Sequence, residues 1–530
     1  MSPNTGEVLL ASRCASVVLL ALPWLNPFAS GPSTAAIPWL VSVACAAVFL
    51  LLWSWSPMAL ARPFALAWLA AALLSSGMGL LQYFGVAGAL APWVNHNTLG
   101  DAFANLRQRN QFATLTNLGL AVLLWGPLAQ PAALAPTLAR MPSGGAARRY
   151  WPFAAAILLA FGNAASGSRT GLLQFVALAP MALLWNGTRY PRTWQVLAAA
   201  VLAYVAAAVA LPVLIGLNPL VNGITGRLRF DSLPCASRWV LWQNVVHLIA
   251  ERPLAGWGWG ELDYAHFVTL YPGPRFCEIL DNAHNLPLHL AVELGIPVAA
   301  LACGLGLWLA WRARPWRESN PDRQLAWAVL ALILLHSMLE YPLWYGPFQI
   351  AAAACLWLLW SAPKPRDAGS ASTDVPQSRA PTAAKPKAHR PLPMAASVLM
   401  LLGVAYAAWD YHRVSQIYLP TEQRAADYRE DTLEKIRGSW LFRNQVRFAE
   451  LTTTELTPDN AAYLHAMAQE LLHFSPEARI AEKLIESAAM LGHTDEALFY
   501  LARYRAAFPE EHARWVKAGS APTGTSAPAD

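Results

Sequence analysis

Two arginines and a histidine carry the chemistry that this sequence could do. Arg169 sits in Ser166-Gly167-Ser168-Arg169-Thr170-Gly171, a short polar break between two apolar runs. Arginine at the centre of a bilayer costs about 2.5–3.5 kcal/mol on insertion scales, so it faces a polar cavity or ligand, or snorkels to the headgroups. Arg238 precedes Trp239 on an amphipathic stretch and is either an anion-binding group or a solvated loop cation. His284 lies in Asn282-Ala283-His284-Asn285, where another apolar run begins; a histidine at such a boundary is ordinarily a structural hydrogen-bonder. If the three converge, the arginine forks suit a phosphate bidentately, and Glu293 and Glu340 could orient them. The run Gly256-Trp257-Gly258-Trp259-Gly260 follows a helix-like stretch rather than a strand, so a dinucleotide fold is not indicated. It reads as a tight turn bringing backbone near the membrane surface.

The elements that must position these residues are apolar helices. The chain has 530 residues, 56% hydrophobic and 13% charged, against about 25% charged in a soluble domain. Many of its 24 Trp flank apolar runs, where indoles favour the membrane interface. The net charge of +6 does not point to nucleic acid, because the basic residues collect in short loops between apolar runs. The first run, around 8–28, lacks a basic leader and reads as an anchor. Cys235 and Cys277 share the longest loop and are either bridged or free; Cys14, Cys45, Cys303 and Cys355 lie in apolar runs. With no CxxC pair and no His/Cys cluster, no structural zinc site is expected.

A span needs about 20 apolar residues, which places candidates at 8–27, 36–54, 64–84, 110–128, 151–166, 170–187, 194–216, 286–311, 324–341, 344–361 and 393–409. Alternate loops differ sharply in charge. One set holds Arg62, Arg140, Arg148, Arg149, Arg189, Arg192, Arg312, Arg314, Arg317 and Arg323, then a run of Lys and Arg from Lys364 to Arg390. By the positive-inside rule that set and the N-terminus are cytoplasmic. The expected organisation is then seven spans over 1–216, an external loop at 217–285, three spans over 286–361, a Pro/Ala/Ser-rich cytoplasmic linker at 362–392, an eleventh span at 393–409 and an external helical domain at 410–530. Thr457-Pro458, Ser475-Pro476 and Thr494-Asp495 look like helix starts. Their spacing fits a tetratricopeptide-like repeat or an irregular bundle.

The order of Ser168-Arg169-Thr170-Gly171, Arg238-Trp239, Pro253-Leu254 with the glycine run, His284-Asn285 and Glu293-Leu294-Gly295 resembles the Wzy/WaaL superfamily of O-antigen ligases, O-antigen polymerases and bacterial O-oligosaccharyltransferases. Gln108-Arg109-Asn110-Gln111-Phe112-Ala113 resembles a pattern of the same superfamily. His336-Ser337, Glu340-Tyr341-Pro342-Leu343-Trp344-Tyr345 and the soluble tail resemble its PglL-type protein-glycosylating branch.

The resemblance implies an all-α polytopic fold of the GT-C-like glycosyltransferase class in a bacterial inner membrane, with its active face in the periplasm. It implies transfer of an oligosaccharide en bloc from undecaprenyl pyrophosphate to a Ser or Thr of a pilin-like protein, with no metal and no cofactor. Arg169 and Arg238 would hold the pyrophosphate, and His284 would take the acceptor's proton, an imidazole's unperturbed pKa being about 6.5. Asn110, Gln111 and Asn285 would contact substrate. Attack opposite the leaving group would invert the anomeric centre. The same residues would serve a lipopolysaccharide O-antigen ligase, with lipid A-core as acceptor, or an O-antigen polymerase. A transporter or flippase, of a different class, would show paired broken helices and repeated halves; no internal repeat is seen.

Overall fold

The computed structural model describes residues 5–55, 58–126, 145–186, 191–229, 234–362 and 391–519. Among these every regular element is helical. A helix closes its own backbone hydrogen bonds, which a lipid phase demands. The bundle helices are α1 (Thr5–Leu25), α2 (Ala36–Trp55), α3 (Ala61–Tyr83), α4 (Arg109–Trp125), α5 (Gly145–Ser166), α6 (Arg169–Asn186) and α7 (Pro191–Leu214). Then come α8 (Gly223–Arg229), α9 (Arg238–Glu251), α10 (Leu262–Val268), α11 (Leu286–Leu294), α12 (Ile296–Ala313), α13 (Pro321–Ser337), α14 (Gly346–Ser361) and α15 (Pro391–Ser415). The tail holds α16 (Thr432–Ile436), α17 (Arg443–Thr453), α18 (Ala461–Leu472), α19 (Ala478–Met490), α20 (Thr494–Ala507) and α21 (Pro509–Gly519).

Each of the eleven expected spans overlaps a helix. Among the described residues five helices are long and apolar enough to cross a bilayer: Ala36–Trp55, Ala61–Tyr83, Pro191–Leu214, Ile296–Arg317 and Pro391–Tyr418. Leu10–Leu25, Arg169–Trp185 and Gly346–Ser361 are shorter apolar helices. The chain is thus an all-α polytopic membrane protein. The stretch 286–311 is two helices rather than one, broken at Gly295, so the apolar span starts at Ile296 and not at Leu286. The expected linker falls almost wholly on 363–390, outside the described residues.

The chain folds as two compact units, Met1–Phe230 with Leu307–Ala408, and Asp231–Gly306 with Trp409–Asp530. In the first, α4 is the central helix. Every residue from Gln111 to Trp125 is buried, and α3, α5, α6 and α13 pack around it. In the second, Cys235 and Cys277 are joined by a disulfide, with Cα atoms 5.4 Å apart. The bridge closes a core of Val240, Leu241, Val245, Leu248, Phe276 and Leu280. Successive tail helices pack each on the next around Leu464, Met467, Leu471, Leu484 and Tyr504. Helices α18 and α19 start at Ala461 and Ala478, a few residues after the expected caps Thr457 and Ser475, because Asn460 and Glu477 take the capping positions. Asp410, fully buried at the end of the last apolar helix, accepts from Arg413 Nε at 2.7 Å and Ser439 Oγ at 2.9 Å.

Candidate active site

In the first unit the polar break at residue 166 is a built turn. Gly167 adopts φ +57°, the left-handed region where a Cβ is unfavourable. Ser166 Oγ donates to the Asn163 carbonyl at 2.5 Å and accepts from Ser168 N at 3.1 Å. Ser168 Oγ accepts from Gly171 N at 2.8 Å, which caps α6. The same hydroxyl donates to Asn110 Oδ1 at 2.6 Å. Arg169 is therefore the exposed first residue of a capped helix.

Behind it runs a buried polar network. Asn110 Nδ2 donates to Glu340 Oε1 at 2.9 Å. Thr114 Oγ1 lies 3.0 Å from His336 Nδ1 and 2.9 Å from Gln174 Oε1. Asn163 Nδ2 donates to Thr116 Oγ1 at 2.8 Å, and Asn117 Nδ2 to the Gly171 carbonyl at 2.9 Å. Polar groups without water must find protein partners, and these bonds fix α4, α5, α6 and α13 around the turn. Gln111 is buried, and its backbone N–H is capped by Gln108 Oε1 at 2.7 Å.

Beside Gly167 opens a cavity of about 360 Å³, lined among others by Tyr83, Asp101, Ser166, Asn222 and Arg227. Asp101 lies 3.3 Å from Arg109 and 4.0 Å from Arg227. The cavity wall thus carries the paired charges of Arg227 and Asp101, which their places in the sequence do not join. Arg227 stood in a long loop, Asp101 and Arg109 in an earlier one, with nothing in their spacing to join them.

In the second unit Ser237 Oγ caps α9 by accepting from Val240 N at 3.3 Å, which makes Arg238 the first helical residue. One turn on, Trp242 Nε1 donates to the Ala283 carbonyl at 3.1 Å. The start of α9 is therefore tied to the residue preceding His284. His284 takes φ +49°, sparsely populated by non-glycine residues. Buried Asn282 stabilises it, its Oδ1 accepting from His284 N at 2.9 Å. Asn285 Oδ1 accepts from Leu288 N at 3.1 Å and caps α11. The electrostatic surroundings of His284 include Asp281, whose carboxyl is raised by burial with His284 acting against that rise, and His289, lowered to about 4 by burial and then by His284.

Glu293 is buried in α11 and pairs with His289, Nε2 to Oε2 3.4 Å, rather than with an arginine. Burial pushes its carboxyl up to about 7, against the pull of the Gly260 and Leu262 amides. The glycine run packs on the end of this helix. Trp257 N donates to the Val292 carbonyl and Gly258 N to the Glu293 carbonyl, both at 2.9 Å. A Cβ on Gly256 would lie 2.3 Å from the Glu293 carbonyl oxygen, and one on Gly295 2.1 Å from that of Leu254. The run serves backbone-to-backbone packing against the end of α11. Of the expected site residues, Arg169, Asn110 and Gln111 belong to the first unit; Arg238, His284 and Asn285 belong to the second.

Comparison with known proteins matches three segments of the chain. Residues 102–125, holding Asn110 and Gln111, match a protein glycosylation ligase family model. Residues 154–303, holding Arg169, Arg238 and His284, match an O-antigen ligase model. Residues 324–521 match the C-terminal model of virulence factor membrane-bound polymerases. A general O-oligosaccharyltransferase of Acinetobacter baylyi is 24% identical over 322 residues, 58% of this chain and 52% of the relative. A ComP-specific O-oligosaccharyltransferase of the same organism is 28% identical over 122 residues, 23% of this chain and 22% of the relative. The match thus spans about half the length of the first relative and less of the second. Three matched segments in the order of one architecture, on an all-helical membrane fold, place the chain in the Wzy/WaaL/PglL superfamily of O-antigen ligases, polymerases and protein glycosylation ligases.

Proposed function

We propose that this protein is an O-linked oligosaccharyltransferase. It moves a glycan en bloc from undecaprenyl pyrophosphate to a Ser or Thr of a pilin-like protein at the periplasmic face of the inner membrane. The observation that carries the reading is the turn at Ser166–Gly171. It pairs a capped helix start bearing Arg169 with a cavity lined by Arg227 beside Asp101 and rigidified by a buried polar network. That arrangement suits an anionic headgroup approached from the membrane.

In the reaction the acceptor oxygen forms a bond to the anomeric carbon as the bond from that carbon to the pyrophosphate oxygen breaks. The hydroxyl proton passes to the His284 imidazole, and undecaprenyl pyrophosphate leaves with the electron pair. Preorganised guanidinium groups of Arg169 and Arg238 stabilise the negative charge on the leaving group. Attack from the opposite face inverts the sugar, and no metal or cofactor enters the scheme. Asn110, Gln111 and Asn285 flank the substrates.

The test is expression in cells supplying a lipid-linked glycan and a pilin, read by the pilin's mass. A glycan mass on the pilin is expected, falling roughly 10²–10⁴-fold in rate in His284→Ala, as loss of a general base does. An undiminished signal in His284→Ala removes the base assignment, and retention at the anomeric carbon by NMR removes the single displacement. The match of 154–303 to O-antigen ligases favours a second reading, transfer to lipid A-core. Glycan on lipid A-core with none on pilin selects it.

A further inference from the structure

The tail carries a cluster that the transfer reaction does not use. His465 lies on α18, while His493 caps α20 and Glu496 sits in the first turn of α20. His465 Nε2 is 3.3 Å from Glu496 Oε2, and His493 Nδ1 is 3.5 Å from the same oxygen. One ligand atom from each of the three lies within 4.8 Å of the others. Two donors about 2.0–2.1 Å from a tetrahedral ion stand about 3.3 Å apart, so the separations of Glu496 from His465 and from His493 are those of a coordination sphere.

The outer contacts decide which atoms face inward. Ser487 Oγ donates to the Leu484 carbonyl at 3.1 Å, so toward His465 Nδ1, 3.1 Å away, it acts as acceptor. His465 then carries its proton on Nδ1 and turns the Nε2 lone pair to Glu496. Glu496 is fixed from its other side, Oε1 accepting from Gln469 Nε2 at 2.7 Å. Gln469 stands one turn from His465 on the same helix. At 3.3 Å this buried imidazole and the carboxylate are joined either by a proton on Nε2 or by a metal ion between them.

We propose that His465, His493 and Glu496 bind a zinc ion, with water completing a tetrahedron, and that the ion staples α18 to α20. Two imidazoles and one carboxylate are a donor set that zinc accepts, and the Ser487 and Gln469 contacts are the outer bonds that orient such ligands. The site is independent of the transfer reaction and lies wholly in the tail.

The test uses the full chain in detergent, stripped with chelator and titrated with Zn²⁺ alone, then with Co²⁺ as a spectroscopic probe. Retention of one Zn²⁺ per chain and a tetrahedral Co²⁺ absorption band are expected. His493→Ala and Glu496→Gln, both at partly exposed positions, should abolish that equivalent while leaving the far-ultraviolet helical signal unchanged. Ser487→Ala should weaken it about 10–100-fold. Zinc uptake that is absent in the wild-type chain, or unchanged in His493→Ala and Glu496→Gln, overturns the proposal. The former leaves a protonated His–Glu pair, the latter adventitious binding by other histidines.

Discussion

The two units handle buried polar groups in opposite ways. In the bundle, the groups around α4 are mainly amides and hydroxyls, cross-bonded between helices: Asn110 to Ser168, Asn117 to Gly171, Asn163 to Thr116. In the second unit they include ionisable side chains held off their usual pKa values, with Glu293 raised to about 7 and His266 lowered to about 3, both chiefly by burial. His266 satisfies both ring nitrogens, Nε2 to the Phe276 carbonyl at 3.1 Å and Nδ1 to Tyr271 Oη at 2.8 Å. The bundle gains rigidity mainly from amide and hydroxyl bonds, with Glu340 and His336 as its ionisable members. The second unit also uses charge, and adds a covalent bridge.

The sharpest way to break this contrast is to cut that bridge. The disulfide closes a separation of 42 residues, for which chain-entropy reasoning gives about 4 kcal/mol. Cys235→Ser, or reduction in detergent, should lower the unfolding midpoint of the second unit and leave the bundle's far-ultraviolet melt unchanged. Equal loss in both units would show that they do not differ as argued.

The next effect depends on pH. Glu293 has its folded pKa raised from 4.5 to about 7, so between those values the folded state binds more protons than the unfolded. Stability from this group is present at low pH and falls as pH rises through that window. His289, lowered from 6.5 to about 4, acts oppositely: its contribution falls as pH drops from 6.5 toward 4. Glu293→Gln should remove the first slope and leave the second. The variant should therefore gain on the wild type by about 1–3 kcal/mol between roughly pH 5 and pH 8. A constant difference across that range would mean that Glu293 is ionised throughout.

In the bundle, Asn163→Ala removes donors to Thr116 and to the Ala113 carbonyl. About 1–2 kcal/mol should be lost, independent of pH. Any pH dependence would tie this bond to the ionisable members of the network, Glu340 and His336.

How much of this was legible in the sequence follows from the range of each interaction. Apolar runs near span length announced the helices, because that signal is local. The break at Gly295 was not visible, since Gly295 sits within an apolar run and its φ of +85° goes with the close approach of the Leu254 carbonyl. Arg169, Arg238 and His284 stood out as polar residues at apolar boundaries. Arg109, Asp101 and Arg227 did not, because only folding joins their loops beside Gly167. The same holds for His465, which lies two helices before His493 and Glu496.

Asn285 gives the finest comparison, because structure and chemistry make separate demands on it. Its Oδ1 caps α11 through Leu288 N, a bond whose loss costs about 1 kcal/mol. Ser supplies the same cap without the amide. Asn285→Ala should therefore lower both the stability of the second unit and transfer. Asn285→Ser should restore stability, and the assay then separates the roles. Transfer recovering with Ser means that Asn285 only holds the start of α11 beside His284. Transfer staying low in a fully stable Asn285→Ser protein means that its amide contacts substrate.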